Sequence, residues 1–200
     1  GYLIDGEDFD RQVVPSMIGS PLINIVSADM ASTGDDSTAL TSLVYSSNGM
    51  VYLADSMTIK DSKTESFVLK FLGEQVEKYN TYLYVLEAEP GSASTYASRY
   101  WQDLIYEDYP MVSFTTDRPS KSKFERSRLS ANYITHNRLF IVEDSNTERL
   151  REEFMYIHPD KKELDKYPSP DMLDSLNQGM FQMDKFIQST GSGVSLGKVY

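Results

Sequence analysis

The chain has 200 residues, with 30 acidic against 19 basic side chains, a formal net charge of −11 and no cysteine. The lack of cysteine excludes disulfides, thiolate metal sites and thiol nucleophiles, and an apolar fraction of 40% excludes a disordered chain. The acidic balance argues against a protein that coats nucleic acid by bulk charge, and no apolar run approaches the ~18 residues that a membrane span needs.

Residues 1–20 mix acids, Gly and Pro with few periodic apolar positions, and read as a linker or edge arm. With Gly1 rather than Met at its start, the sequence reads as a fragment of a longer chain. Residues 21–190 form the candidate domain. Its first strong strand signal is Leu22–Asp29, β-rich and ending on an acid. After a turn come Ala39–Tyr45, the turn Ser46-Ser47-Asn48-Gly49, and Met50–Asp55; Asn-Gly between two apolar runs signals a hairpin. Residues 63–79 space Phe67, Phe71, Leu72, Val76 and Tyr79 at helical intervals. The run Tyr82-Leu83-Tyr84-Val85-Leu86 before Glu87 reads as a buried strand. Helix 94–107, strand 111–114, helix 121–134, strand 138–142 and helices 144–155 and 169–187 follow. The Gly/Ser-rich residues 191–200 read as a mobile tail. A meander followed by βαβ crossovers predicts an α/β fold, a mixed sheet with helices on both faces.

Acids stand where elements end or begin. Asp29 closes the first strand, Glu87 closes the buried strand, and Asp171 and Asp174 open the last long helix on one face, three residues apart. If the first and fourth strands are neighbours, Asp29 and Glu87 lie side by side and the helix brings a third carboxylate. Clustered carboxylates repel one another and their pKa values rise. A hard divalent cation, Mg²⁺ or Mn²⁺, resolves that conflict, and two such ions support in-line phosphoryl chemistry. For any one of these acids alone, helix capping or the helix dipole is explanation enough.

The segment Arg118–Arg128 carries Arg118, Lys121, Lys123, Arg126 and Arg128 against Glu125 alone. It reads as a phosphate-binding stripe or as a solvated helix face. His136 and His158 read as surface or packing residues, and no Ser-His-Asp arrangement is legible. Gly191–Val199 lacks the spacing of a phosphate-binding loop, so ATP binding is not expected.

The stretch Val26-Ser27-Ala28-Asp29-Met30-Ala31 with Gly34-Asp35-Asp36-Ser37-Thr38-Ala39 resembles the first nuclease motif of the large terminase subunits of tailed bacteriophages. Val85-Leu86-Glu87-Ala88-Glu89-Pro90-Gly91 is similar to the second motif. Lys123-Phe124-Glu125-Arg126 matches a Lys-x-x-Arg segment, and Asn137-Arg138-Leu139-Phe140 stands in place of Gly-Arg-(Val/Ile). Glu152-Glu153-Phe154 with Ser169-Pro170-Asp171-Met172-Leu173-Asp174-Ser175-Leu176 resembles the closing motif. Ser169-Pro170 departs from the His-Asp often found before that helix, and Glu89 from a usual Asn.

The resemblance implies a ribonuclease H-like fold with a five-stranded type of mixed sheet. It also implies a metal-dependent endonuclease that cuts concatemeric double-stranded DNA during packaging. Asp29 and Glu87 would be metal ligands for two Mg²⁺ or Mn²⁺ ions, with Asp171 or Asp174 as the third. Asp36 would reach a second ion or only form its turn. Lys121, Lys123, Arg126 and Arg128 would contact DNA. Implied partners are the terminase ATPase domain, the portal and the small subunit, in the cytoplasm of an infected host cell. Two other readings stand beside it: another ribonuclease H-like nuclease of the resolvase, integrase or exonuclease type, or a nuclease-dead scaffold bound to the portal.

Overall fold

The computed structural model describes residues 1–30, 37–60, 64–87 and 92–194. Asp36 and Glu89 therefore lie outside the described residues. The elements in chain order are α1 (Gly6–Arg11), β1 (Val13–Val14), β2 (Pro21–Asp29), β3 (Thr38–Ser46), β4 (Val51–Ile59), α2 (Thr64–Tyr79), β5 (Leu83–Glu87), α3 (Ser92–Asp108), β6 (Ser113–Asp117), α4 (Lys123–Thr135), β7 (Leu139–Val142), α5 (Thr147–Tyr156), α6 (Lys161–Leu164) and α7 (Asp171–Val194).

Among the described residues the strands form one seven-stranded sheet in the order β1-β7-β4-β3-β2-β5-β6. The β2-β3-β4 meander is antiparallel, while β5 joins β2, β6 joins β5, β7 joins β4 and β1 joins β7 in parallel. The β3–β4 turn carries Gly49 at φ +83°, the left-handed conformation that glycine reaches without strain. The expected α/β mixed sheet is present, with more strands than the five-stranded type. Six of the seven correspond to strands read from the sequence; only β1, two residues long, leaves too little apolar pattern to read.

The side-chain alternation of β2 divides the core. Ile23 and Ile25 pack with Leu43, Val85, Phe154, Leu173, Leu176 and Met180 on the face covered by α4, α5 and α7. Val26 and Ala28 pack with Leu40, Tyr84, Val68, Leu72 and Ile105 on the face covered by α2 and α3. Helix α2 buries Val68, Phe71, Leu72 and Gln75, while Phe67, expected on the apolar stripe, is exposed.

Within residues 1–20, read as a linker or edge arm, several positions pack against the sheet and its helices. Ile4 and Phe9 are buried in the α7-side core, Gln12 Nε2 donates to the Leu139 carbonyl at 3.0 Å, and β1 forms the sheet edge. Helix α7 runs to Val194, into the segment read as a tail, and residues 195–200 lie outside the described residues. Strand β6 starts two residues later than expected because Val112 is buried under α3 while the strand itself is polar.

Candidate metal centre

Side-chain alternation decides which acids meet. Ser27 and Asp29 share a face of β2 with Ile25, and Glu87 shares a face of β5 with Val85, so both acids point to the side covered by α7. The parallel register pairs Ala28 with Leu86, which places Asp29 beside Glu87 at the strand ends. In the next pair Asp117 stands level with Glu87, at the end of β6.

Helix α7 lies over these ends because its polar residues bond to strand backbone. Gln178 Nε2 donates to Ser27 Oγ and the Ala28 carbonyl at 2.9 Å and to the Val85 carbonyl at 3.2 Å. Ser175 Oγ donates to the Ser27 carbonyl at 3.0 Å. Gly179 lets the helix come close: a Cβ there would stand 2.9 Å from Leu43 Cδ1 and 3.2 Å from Ser27 Cβ. The first turn of α7 consequently carries Asp171 and Asp174 to the mouth of β2 and β5, and both are buried.

Asp29 feels the other three acids. Burial first, then Asp174, Glu87 and Asp171, push its carboxyl well above the usual range, and it shares a hydrogen bond with Glu87. Burial also raises Asp171, against the opposing pull of Ser169, the Ser37 amide, Arg149 and Lys123. Asp171 Oδ2 accepts from Ser37 N and from Arg149, each at 3.4 Å.

Asp174 has a different partner. Lys123 Nζ donates to Asp174 Oδ2 at 2.6 Å and to Ser169 Oγ at 3.1 Å. Burial would depress the Lys123 pKa, but Asp174, with Asp29 and Asp171, outweighs burial and holds it above the ordinary lysine range. Arg126 approaches Asp174 Oδ1 at 3.8 Å, yet that buried oxygen and Arg126 Nε each lack a hydrogen-bond partner among the described residues.

Asp29, Glu87 and both candidates for a third ligand, Asp171 and Asp174, thus gather at one end of the sheet. Among the described residues no three His, Cys, Asp or Glu side chains are close enough, as they stand, to hold an ion. An all-oxygen donor set, an orphaned carboxylate oxygen on Asp174 and mutual repulsion at Asp29 are nevertheless the properties that a hard divalent cation satisfies.

The expected DNA-facing cations separate into two groups. Lys123 and Arg126 turn inward to Asp174. Lys121 and Arg118 are exposed and line, with Asp117, Arg126 and Phe181, a cleft of about 350 Å³. Arg128 is exposed, paired with Glu125 at 3.0 Å and set over the Phe124 ring. A larger cleft of about 1010 Å³ opens on the other side of Asp171, between Lys60, Arg149, Tyr156 and Ser169. His136 Nδ1 lies 2.8 Å from the Asn132 carbonyl and His158 Nε2 3.0 Å from the Tyr2 hydroxyl, away from the acids.

Sequence reasoning missed several supports: Arg149, Glu153, Ser175, Asn177 and Gln178. Glu153 Oε1 accepts from Leu173 N at 2.8 Å, capping the first turn of α7, and Glu153 Oε2 accepts from Arg149 at 2.9 Å. Asn177 bonds Ser127 and Ser130 of α4, each at 2.8 Å. The available signal was polar residues on the inward face of α7: Asp171, Asp174, Ser175 and Gln178 follow helical spacing.

Burial pushes Glu153 up to about 7, with the Leu173 amide and Arg149 opposing. A group raised in the folded state contributes stability that is complete below its unfolded pKa and lost as pH rises through the folded value. Urea unfolding should therefore show Glu153→Gln gaining on the wild type by about 3 kcal/mol from pH 4.5 to 8. Parallel pH profiles of the two proteins would contradict this.

No protein-family model matches the chain, and no curated protein matches it. Solved structures do. The nuclease of the large terminase of thermophilic phage G20c, with bound zinc, matches at TM-score 0.60 and 14% identity over 91% of this chain and 99% of its own. The chain has the ribonuclease H-like fold of the large-terminase nuclease domains. The human cytomegalovirus terminase nuclease domain, soaked with Mn, matches at TM-score 0.64 and 10% identity over 89% of this chain and 94% of its own. The large terminase of a second thermophilic bacteriophage matches at TM-score 0.61 and 16% identity over 88% of this chain but 43% of its own. The phage G20c nuclease is also known with bound magnesium and with bound cobalt.

Proposed function

We propose that the chain is the metal-dependent nuclease domain of a large terminase, cutting concatemeric double-stranded DNA with little sequence preference. The observation that carries this reading is the meeting of Asp29, Glu87, Asp171 and Asp174 at the ends of β2 and β5, on the fold of the terminase nucleases. The five motifs in their order favour it over other ribonuclease H-like nucleases, and the intact acidic set argues against a nuclease-dead scaffold. The neighbours that hold zinc, magnesium or cobalt, or were soaked with Mn, support a divalent cofactor. Mg²⁺ or Mn²⁺, two ions, suits the oxygen donors.

Asp29, which feels Glu87 and both α7 acids, would be a central ligand of the cations. Asp174 is the better candidate for the remaining ligand. Its influence on Asp29 exceeds that of Asp171, and its Oδ1 lacks a hydrogen-bond partner among the described residues, whereas Asp171 is engaged by Ser37 and Arg149. When bound, the cations supply the Lewis acidity that activates water and stabilises the leaving 3′ oxygen. The chain's own part is positional. Gln178 and Ser175 fix α7 to the strand ends, Glu153 fixes its first turn, and Arg149 orients Asp171. Arg126, Lys121 and Arg118 present positive charge beside the acids for the phosphate backbone, which explains how a chain of net charge −11 approaches DNA.

The ATPase domain, portal and small subunit are the partners this reading supplies, and the cytoplasm of an infected host cell is the setting. No helix among the described residues is long and apolar enough to cross a membrane. Supercoiled plasmid incubated with the chain and Mn²⁺ should become nicked and then linear, and a four-way junction should be cut no faster than duplex. Intact plasmid at every Mn²⁺ and Mg²⁺ concentration would overturn the nuclease reading. Strong preference for the junction would favour the resolvase type instead.

A further inference from the structure

We propose that Lys123 is a built-in competitor for the cation site, an ammonium group that a divalent ion must expel before Asp29, Glu87 and Asp174 can close around it. This rests on the metal-dependent reading above. Asp174 is 3% exposed, and the cations against it are Lys123, at 2.6 Å, and Arg126, at 3.8 Å. Lys123 also feels Asp29 and Asp171, so its charge acts on three of the four acids at once. With the ammonium seated, Asp174 Oδ2 is engaged and no three carboxylates among the described residues converge on one point.

The lysine is placed to leave. It is the first residue of α4, directly after the N-cap Ser122, whose Oγ accepts from Glu125 N at 3.2 Å. Its side chain is 35% exposed, against 17% for Arg126, so the ammonium can swing to solvent without unwinding the helix. Arg126 stays behind, close to Asp174 Oδ1, as a fixed charge. Lys123 would thus hold the metal-free acids together against their own repulsion while lowering their affinity for metal. The same contact does both, so the two effects must change together when it is removed.

Titration calorimetry with MnCl₂ at pH 7 and low salt tests this on the 200-residue chain, comparing wild type, Lys123→Met, Lys123→Gln and Asp29→Asn. Expected is Mn²⁺ binding about tenfold tighter or more in both lysine variants, a lower melting temperature for those variants without metal, and a larger Mn²⁺-induced rise in that temperature. Lys123→Gln keeps a hydrogen-bonding end toward Ser169 and Asp174 and serves if Lys123→Met does not fold. Wild-type binding with equal or weaker binding in the lysine variants overturns the competitor role alone. No Mn²⁺ binding by any of the proteins, or unchanged binding by Asp29→Asn, overturns the metal reading and this proposal with it.

Discussion

Asp29→Asn should abolish plasmid cleavage and, in the absence of metal, make the chain more stable. The activity loss should be about 10³-fold, the several kcal/mol of charge stabilisation expected from losing a metal ligand. The gain in stability follows from the sign of the pKa shift. Burial, Asp174, Glu87 and Asp171 all raise Asp29, so its contribution to folding is present at low pH and lost as pH climbs through its folded value. Asn cannot ionise and does not suffer that loss. At pH 7 the variant should be more stable than the metal-free wild type, and at pH 4 the gap should close. Chemical unfolding at the two pH values, with and without Mg²⁺, reads this out. Saturating Mg²⁺ should stabilise the wild type more than the variant. A variant that is less stable at pH 7 without metal would show that Asp29 has a structural role outweighing its repulsion.

Gly179→Val is expected to produce the second large effect, through packing alone. The added Cβ would meet Leu43 Cδ1 at 2.9 Å and Ser27 Cβ at 3.2 Å. Leu43 is fully buried and Ser27 Cβ is fixed to the backbone of β2, so neither can retreat cheaply. Overpacking should cost about 2–3 kcal/mol, only slightly offset by valine's better helix propensity than glycine's. The helix moves before the central strands do, and with it the α7 acids. A displacement of about 1 Å should cost about 10²-fold in cleavage, measured at a temperature where circular dichroism shows the variant folded. Gly179→Ala should fall between wild type and Val on both scales. Full activity in a folded Gly179→Val protein would mean that the close approach of α7 does not set the position of its acids.

The acids were legible in the sequence and their counter-charges were not. Asp29 and Glu87 end apolar runs, and such runs are long enough to define strands whose last residue is known. Asp171 and Asp174 open a helix with clear periodicity. Lys123 and Arg126 share a helix face at i, i+3, but that spacing is identical for a solvated stripe and for a stripe turned toward buried carboxylates. Only the packing of α4 against α7, through Asn177, Ser127 and Ser130, distinguishes them. Tertiary contact also hid the first twenty residues. Helix α1 has six residues and one buried anchor, Phe9, and β1 is two residues long, stabilised by a strand at the far end of the sequence. Gln178 was missed for the opposite reason: a polar residue on an inward helix face looks like an interruption until the strand carbonyls it serves are in place.

The two terminal strands of the sheet bear on how its edges could meet those of another copy. On one side the sheet ends in the two residues of β1, too short to template another strand. On the other it ends in β6, Ser113-Phe114-Thr115-Thr116-Asp117, with Ser113 and Thr116 exposed and an acid at its tip. Long, flat, apolar edges recruit further strands and grow into ribbons, and neither β1 nor β6 is such an edge. Neither terminal strand therefore gives an identical neighbour a long apolar template.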